Sequence, residues 1–351
     1  MNNIPNNDFL HFTRENEFTL SPFSVDHPDY IINVLDTGVI YFCPKNPVDL
    51  PRKKAIVLSS AIHGNETAPI EICNDIITGL LNQEVNLVHP TLFIFGNPPA
   101  INIGERFVEE NLNRLFTGSK DKQTPLSEID LTNLNQETVR AYKLQQYISD
   151  FYQQHSGFEL THYDLHTAIR DSAHEKFAVY PFLHGQPWSK EQFEIVRSMG
   201  VTTFLLMQKP STTFSYYSSK VHGASAFTIE LGKVRPFGEN DQTKFAASKQ
   251  TLINLIAGKE VDTTNFDASN YQFMSVYKEV IKHNPSFELN FADDVANFTA
   301  FEKGQVLAME DGNPVCADQD GEAIVFPNAQ VADGQRALLT VIPINIDDNL
   351  V

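Results

Sequence analysis

Apolar residues along this chain fall into two alternating patterns. Short, uninterrupted apolar runs recur, as strands covered on both faces of a sheet require, and between them lie longer stretches with helical spacing. Lys54-Ala55-Ile56-Val57-Leu58-Ser59-Ser60-Ala61-Ile62 is the first buried run. Pro69 then opens a stretch with Ile70, Ile72, Ile76, Ile77, Leu80 and Leu81, which predicts a helix with proline in its first turn. Thr91-Leu92-Phe93-Ile94-Phe95-Gly96 predicts a second buried strand, stopped by Asn97-Pro98-Pro99. Strand, helix, strand in this order implies a βαβ unit and an α/β sheet with flanking helices.

The pattern continues on either side. Residues 1–50 read as a leading segment with hairpin character, with a strand at Gly38–Cys43 ended by Pro44. From Pro125 to His155 the apolar positions Leu126, Ile129, Leu131, Leu134, Val139, Tyr142, Leu144, Tyr147, Ile148 and Phe151 predict one long helix in the second half. Further strands are expected at Thr161–His166, Phe177–Phe182, Thr202–Met207 and Ala226–Leu231. A helix is expected from Asn240 to Ile256, closed by Gly258. After residue 260 the character changes. Val261-Asp262-Thr263-Thr264-Asn265 reads as a polar linker, and short strand-like pieces then alternate with turn dipeptides such as Lys303-Gly304, Asp320-Gly321 and Asp333-Gly334. The expected organisation is a larger domain over 1–260 and a small β-rich domain over 261–351.

Composition narrows the function classes. The 351 residues include 42% hydrophobic positions and 26 phenylalanines, ample material for a large core. A formal net charge of −18 argues against nucleic acid and anionic membrane surfaces as partners. It also means that an anionic substrate must be captured by a few well-placed cations. Cys43, Cys73 and Cys316 are sparse and far apart, which suggests free thiols in a reducing compartment. No basic and apolar leader is evident at the start, and no apolar run reaches the ~20 residues of a membrane span. A cytoplasmic bacterial protein is the expectation; oligomeric state is not legible.

The candidate chemistry starts where the first buried strand ends. His63-Gly64-Asn65-Glu66 delivers an imidazole and a carboxylate three positions apart, a pair that suits Zn²⁺. A catalytic zinc needs a third ligand, and His166 ends another strand at a comparable boundary. His162, Asp164 and His166 share one strand face, so Asp164 is placed to accept a hydrogen bond from a ligand imidazole and fix its tautomer. Arg106 and Arg114 lie in a loop after the second strand. Guanidinium forks there suit a substrate carboxylate or a scissile carbonyl, although a surface network with Glu105, Glu109 and Glu110 would also explain them. Glu230 lies inside an apolar strand, where it serves either as a proton acceptor beside a zinc site or as a partner of Lys233 or Arg235.

Five ordered segments carry a resemblance. They are Ala61-Ile62-His63-Gly64-Asn65-Glu66-Thr67-Ala68-Pro69; Gly96-Asn97-Pro98; Arg106 with Asn111-Leu112-Asn113-Arg114-Leu115-Phe116; Asp164-Leu165-His166-Thr167; and Phe227-Thr228-Ile229-Glu230-Leu231-Gly232-Lys233-Val234-Arg235-Pro236-Phe237-Gly238. In them the chain resembles the succinylglutamate desuccinylase family and, more broadly, the aspartoacylases and zinc carboxypeptidases. The resemblance implies a mixed, mostly parallel sheet flanked by helices, with a small β-rich C-terminal domain. It implies one zinc per subunit held by His63, Glu66 and His166. It casts Glu230 as general base and acid, and Arg106 as the group that polarises the amide carbonyl. Asn113 and Arg114 would bind a substrate carboxylate. Lys220 stands near the position of a further carboxylate-binding arginine in aspartoacylases, which also use a C-terminal tyrosine. The implied reaction is hydrolysis of N-succinyl-glutamate, the last step of the succinyl-transfer route of bacterial arginine breakdown. An aspartoacylase-like hydrolase or carboxypeptidase is the first alternative. A zinc-binding module without activity is the second.

Overall fold

The structure, a computed structural model, describes residues 3–117, 130, 132–259, 266–346 and 350–351. The linker expected at 261–265 lies outside them, as do Leu126, Ile129 and Leu131 of the long apolar stretch. In chain order, a helix α1 (Phe9–Glu15) precedes β1 (Phe23–Val25), β2 (Tyr30–Asp36) and β3 (Val39–Pro44). Then come β4 (Lys54–Ser60), α2 (Thr67–Leu81), β5 (Thr91–Phe95) and α3 (Pro98–Ile103). The next elements are α4 (Gln136–Gln154), β6 (Glu159–Ala168), β7 (Phe177–Tyr180), α5 (Lys190–Ser198), β8 (Thr203–Leu206), α6 (Phe214–His222), β9 (Ser225–Lys233) and α7 (Gln242–Ile256). The C-terminal part adds β10 (Gln272–Ile281), β11 (Glu288–Leu289), β12 (Ala300–Phe301), β13 (Val306–Glu310), β14 (Asn313–Cys316), β15 (Glu322–Val325) and β16 (Arg336–Pro343).

Thirteen of these strands form one sheet in the order β1-β2-β3-β5-β4-β6-β9-β7-β8-β10-β16-β15-β12. The sheet is mixed. Its centre, β5-β4-β6-β9, is parallel, as is β7-β8-β10; β9 meets β7 antiparallel, and antiparallel pairs build both ends of the sheet. Parallel strands are covered on both faces, which explains why β4 and β5 are buried at every residue and read as unbroken apolar runs. Alternation sorts their side chains. Ile56, Leu58, Tyr163, Leu165, Phe227 and Ile229 pack under α2, α5 and α7. Ala55, Val57, Leu92 and Ile94 face α4 and α6 on the other side. Helices α1, α3, α5 and α6 are additions to what the apolar pattern predicts. The C-terminal strands continue the same sheet, because β10 lies parallel to β8 over Gln272–Ser275 and Thr203–Leu206. Among the described residues, β11, β13 and β14 form a separate three-stranded sheet.

This layout puts the carboxyl ends of β4, β6 and β9 at one edge. The chain leaves β4 through Ala61, which sits at φ 55° in the left-handed region, a strained choice for a residue with a side chain. The turn then passes so close to α3 that a Cβ on Gly64 would stand 2.1 Å from the carbonyl carbon of Ala100. Glycine at 64 therefore lets the His63–Glu66 loop lie flat against α3. Gly64→Ala should cost about 1–3 kcal/mol through forced backbone displacement, visible as a lower denaturation midpoint. Gly79→Ala should cost less, because inside α2 the atom nearest the new methyl is a Val85 side-chain methyl at 2.7 Å, not backbone.

Candidate metal and active site

Glu66 is the centre of the site. Its carboxylate is buried and touches four groups. Oε1 lies 2.8 Å from His63 Nδ1 and 2.7 Å from Arg106 Nη1. Oε2 lies 2.9 Å from His166 Nδ1 and accepts the Thr167 backbone N–H at 3.1 Å. Donor atoms of His63, Glu66 and His166 all fall within 4.8 Å of one another. Each imidazole is held by its far nitrogen. His63 Nε2 contacts Asn111 Oδ1 at 3.0 Å, and His166 Nε2 contacts Asp164 Oδ2 at 2.9 Å. Both Nδ1 atoms are thereby turned toward the same point.

The donor set fits zinc. Two imidazole nitrogens and one carboxylate are a known catalytic combination that leaves a position open. Electrostatics point the same way. Burial, with Arg106 next, pushes the His63 pKa down to about 4, so it presents a neutral ring. Burial also opposes charge on His166, yet the carboxylates of Asp164 and Glu66 override it and hold that pKa well above the ordinary value. Glu66, despite its burial, is held well below the usual carboxylate range by His63 and His166. Two carboxylates thus hold a positive charge on His166, beside the space that the three donors enclose.

Glu230 stands beside this cluster. β9 and β6 run side by side with Glu230 opposite His166. Burial first, and then the negative charge of Glu66, push its carboxyl up to about 7. Its Oε2 is buried and has no hydrogen-bond partner among the described residues. The pairing with Lys233 or Arg235 does not form. Lys233 instead binds Asp171 at 2.7 Å.

The cationic residues divide. Arg106 is half-buried and bound to Glu66. Arg114 reaches solvent but is hemmed in by protein; burial and the charges of Arg336 and Arg106 hold its pKa below the usual guanidinium range. Nothing in the sequence pattern marked Arg336, the first residue of β16, as a neighbour of Arg114. Asn113 is buried, and its Oδ1 accepts the backbone N–H of Phe214 at 3.0 Å, docking the start of α6. Lys220 lies exposed in the last turn of α6 with its ammonium over the Tyr216 ring at 5.7 Å. No hydrogen bond or ion pair among the described residues joins it to the cluster. Asn111 was part of a motif without a role; its contact with His63 spans 48 residues and has no local signal.

A mixed sheet with a buried His–Glu–His cluster at the carboxyl edge of its parallel strands defines an α/β metallohydrolase. Within that class, the chain belongs to the succinylglutamate desuccinylase/aspartoacylase family: the family's catalytic-domain model matches residues 52–256, and its barrel-sandwich hybrid domain matches residues 269–344. The succinylglutamate desuccinylase of Idiomarina loihiensis is 49% identical over 95% of both chains. That of Shewanella piezotolerans is 48% identical over 95% of this chain and 94% of its own. The crystal structure of a succinylglutamate desuccinylase from Vibrio parahaemolyticus superimposes with a TM-score of 0.83 at 33% identity, covering 96% of this chain and 95% of that one. No helix among the described residues is long and apolar enough to cross a membrane.

A carboxyl whose folded pKa is raised favours folding only while it is protonated, and the benefit is lost as pH rises. Glu230→Gln should therefore stabilise the metal-free protein above pH 7. The gain should fade toward zero below 4.5, the ordinary value. Chemical denaturation across pH measures it.

Proposed function

We propose that this chain hydrolyses N-succinyl-L-glutamate to succinate and L-glutamate, with one zinc ion per subunit held by His63, Glu66 and His166. The observation that carries the reading is the match to succinylglutamate desuccinylases over 95% of the chain, around a buried carboxylate, Glu230, whose Oε2 has no partner among the described residues. Zinc, when bound, supplies Lewis acidity and makes water a stronger acid. Glu230 accepts the proton of the attacking water and returns it to the leaving amine nitrogen. Its raised pKa makes it a stronger base than an ordinary carboxylate, suited to both halves of that exchange. Arg106, at the rim of the cluster, donates to the carbonyl oxygen as negative charge develops there. Arg114 and Asn113 form the substrate-carboxylate contact. Lys220 is the weakest member of this set, because its ammonium is engaged with Tyr216.

The substrate bears three carboxylates, and the chain carries a net charge of −18. Arg106, Arg114 and Arg336 therefore concentrate positive potential where the rest of the surface repels. A cytoplasmic location suits a catabolic enzyme for such a metabolite, as the last step of arginine succinyl-transfer breakdown.

Succinate release is the direct test. Activity should disappear with chelator, return with zinc, and be higher on N-succinyl-glutamate than on N-acetyl-aspartate or a small peptide. Faster turnover of N-acetyl-aspartate would replace the desuccinylase with an aspartoacylase. Glu230→Ala should keep its zinc and lose about 10²–10⁴-fold in kcat; an unchanged rate would remove Glu230 as the base. Arg114→Ala should mainly raise KM, if it grips ground state and transition state alike. A fall in kcat at unchanged KM would move Arg114 to the reacting centre.

A further inference from the structure

Behind the His–Glu–His cluster runs an unbroken line of buried polar groups. His166 Nε2 meets Asp164 Oδ2 at 2.9 Å, and Asp164 Oδ1 accepts the Ser59 hydroxyl at 2.5 Å. Ser59 Oγ lies 2.8 Å from His162 Nε2, and His162 Nδ1 lies 2.7 Å from Ser218 Oγ. Ser59, His162, Asp164 and Ser218 are each 0% exposed. The line crosses from β6 to β4, back to β6 and then to α6, so it is built from three elements. Four polar side chains in a dry layer are costly unless every one is satisfied. An apolar filling would have served packing alone.

Proton accounting gives the line a direction. The Asp164 carboxylate can only accept, so Ser59 must donate to one of its oxygens and His166 Nε2–H to the other. Ser59 has a single proton and has spent it on Asp164; it must accept from His162 Nε2–H. His162 then has a lone pair on Nδ1, which accepts the Ser218 hydroxyl. Each link permits one orientation only. The last consequence falls on His166: its Nε2–H is committed to Asp164, so Nδ1 is the nitrogen left facing the cluster, where it donates to Glu66 until a cation takes the place of that proton.

We propose that Ser59 and His162, with Ser218 as the anchor on α6, are positioning residues that lock the metal-binding tautomer and orientation of His166 through Asp164. The proposal rests on the ligand set given above and extends it two side chains outward. Ser59 holds the Asp164 carboxylate in the one rotation that keeps Oδ2 on His166. His162 holds Ser59 in the rotamer that donates to Asp164. Because Ser218 belongs to α6, and Asn113 docks the first turn of that helix, the seating of α6 is coupled to the aim of a metal ligand.

Zinc affinity, measured by competition against a chromophoric chelator, tests this without any substrate. Ser59→Ala deletes one oxygen and leaves the core volume nearly intact. It should weaken zinc binding on the order of 10-fold, the lower end of what loss of an orienting partner costs. His162→Leu should do the same. His162→Gln, which keeps an N–H donor near the Nε2 position, should stay close to the parent. The melting temperature of each metal-free variant is measured alongside, because a merely structural role would lower it while leaving the zinc affinity of the folded protein unchanged. If Ser59→Ala binds zinc as tightly as the parent while His63→Ala loses it, the positioning role is wrong and the ligand set stands. If His63→Ala retains zinc at full affinity, the ligand set falls and the positioning role falls with it.

Discussion

A carboxylate buried away from water must be surrounded by donors or cations, and Glu66 is surrounded by both. Two imidazoles, a guanidinium and a backbone N–H converge on its two oxygens. Much of the catalytic region is arranged to make that convergence possible. Parallel pairing of β4 with β6 brings His63 and His166 to the same edge, although 103 residues separate them in the sequence. The left-handed turn at Ala61 and the bare backbone of Gly64 let the first loop fold tightly enough to reach the second. Asn111 and Asp164 then choose which nitrogen each ring presents.

The same carboxylate sets the character of its neighbour. Its negative charge is the second cause, after burial, of the raised pKa of Glu230. One glutamate is thus kept ionised by the rings around it, while burial and the charge of the first raise the pKa of the other to about 7. Different environments shift the pKa values of two identical side chains in opposite directions. The arrangement stores some instability in the metal-free protein, as sites built for chemistry often do.

Legibility in the sequence followed the physics of each element. Strands β4, β5, β6 and β9 were readable because both faces are buried, which forces continuous apolar runs. Helices α2, α4 and α7 were readable from their apolar stripes. α6 was not: Phe-Ser-Tyr-Tyr-Ser-Ser-Lys-Val-His has serines and aromatics in place of strong helix formers. It is stabilised from outside, by its Thr213 cap, by Asn113 and by the contact of Ser218 with His162. α3 was hidden by Pro98-Pro99, which read as a stop but instead fill the first turn of a helix. Within the site, His63, Glu66, His166 and Glu230 stood out because charged or titratable groups beside buried strands are conspicuous. Asn111, Ser59 and Arg336 did not, since a small polar residue or a lone arginine gains its meaning only from a distant partner.

The seam between β8 and β10 has one more consequence. Four residue pairs join the catalytic strands to the C-terminal part within a single ladder, and β16, which begins with Arg336, is bonded to β10. A cation that faces Arg114 is therefore mounted on the same rigid plank as the catalytic edge. Swinging the C-terminal part away like a jaw would require tearing that ladder apart. Arg336 thus keeps its place beside Arg114 through backbone hydrogen bonds, not through a loose contact between separate bodies.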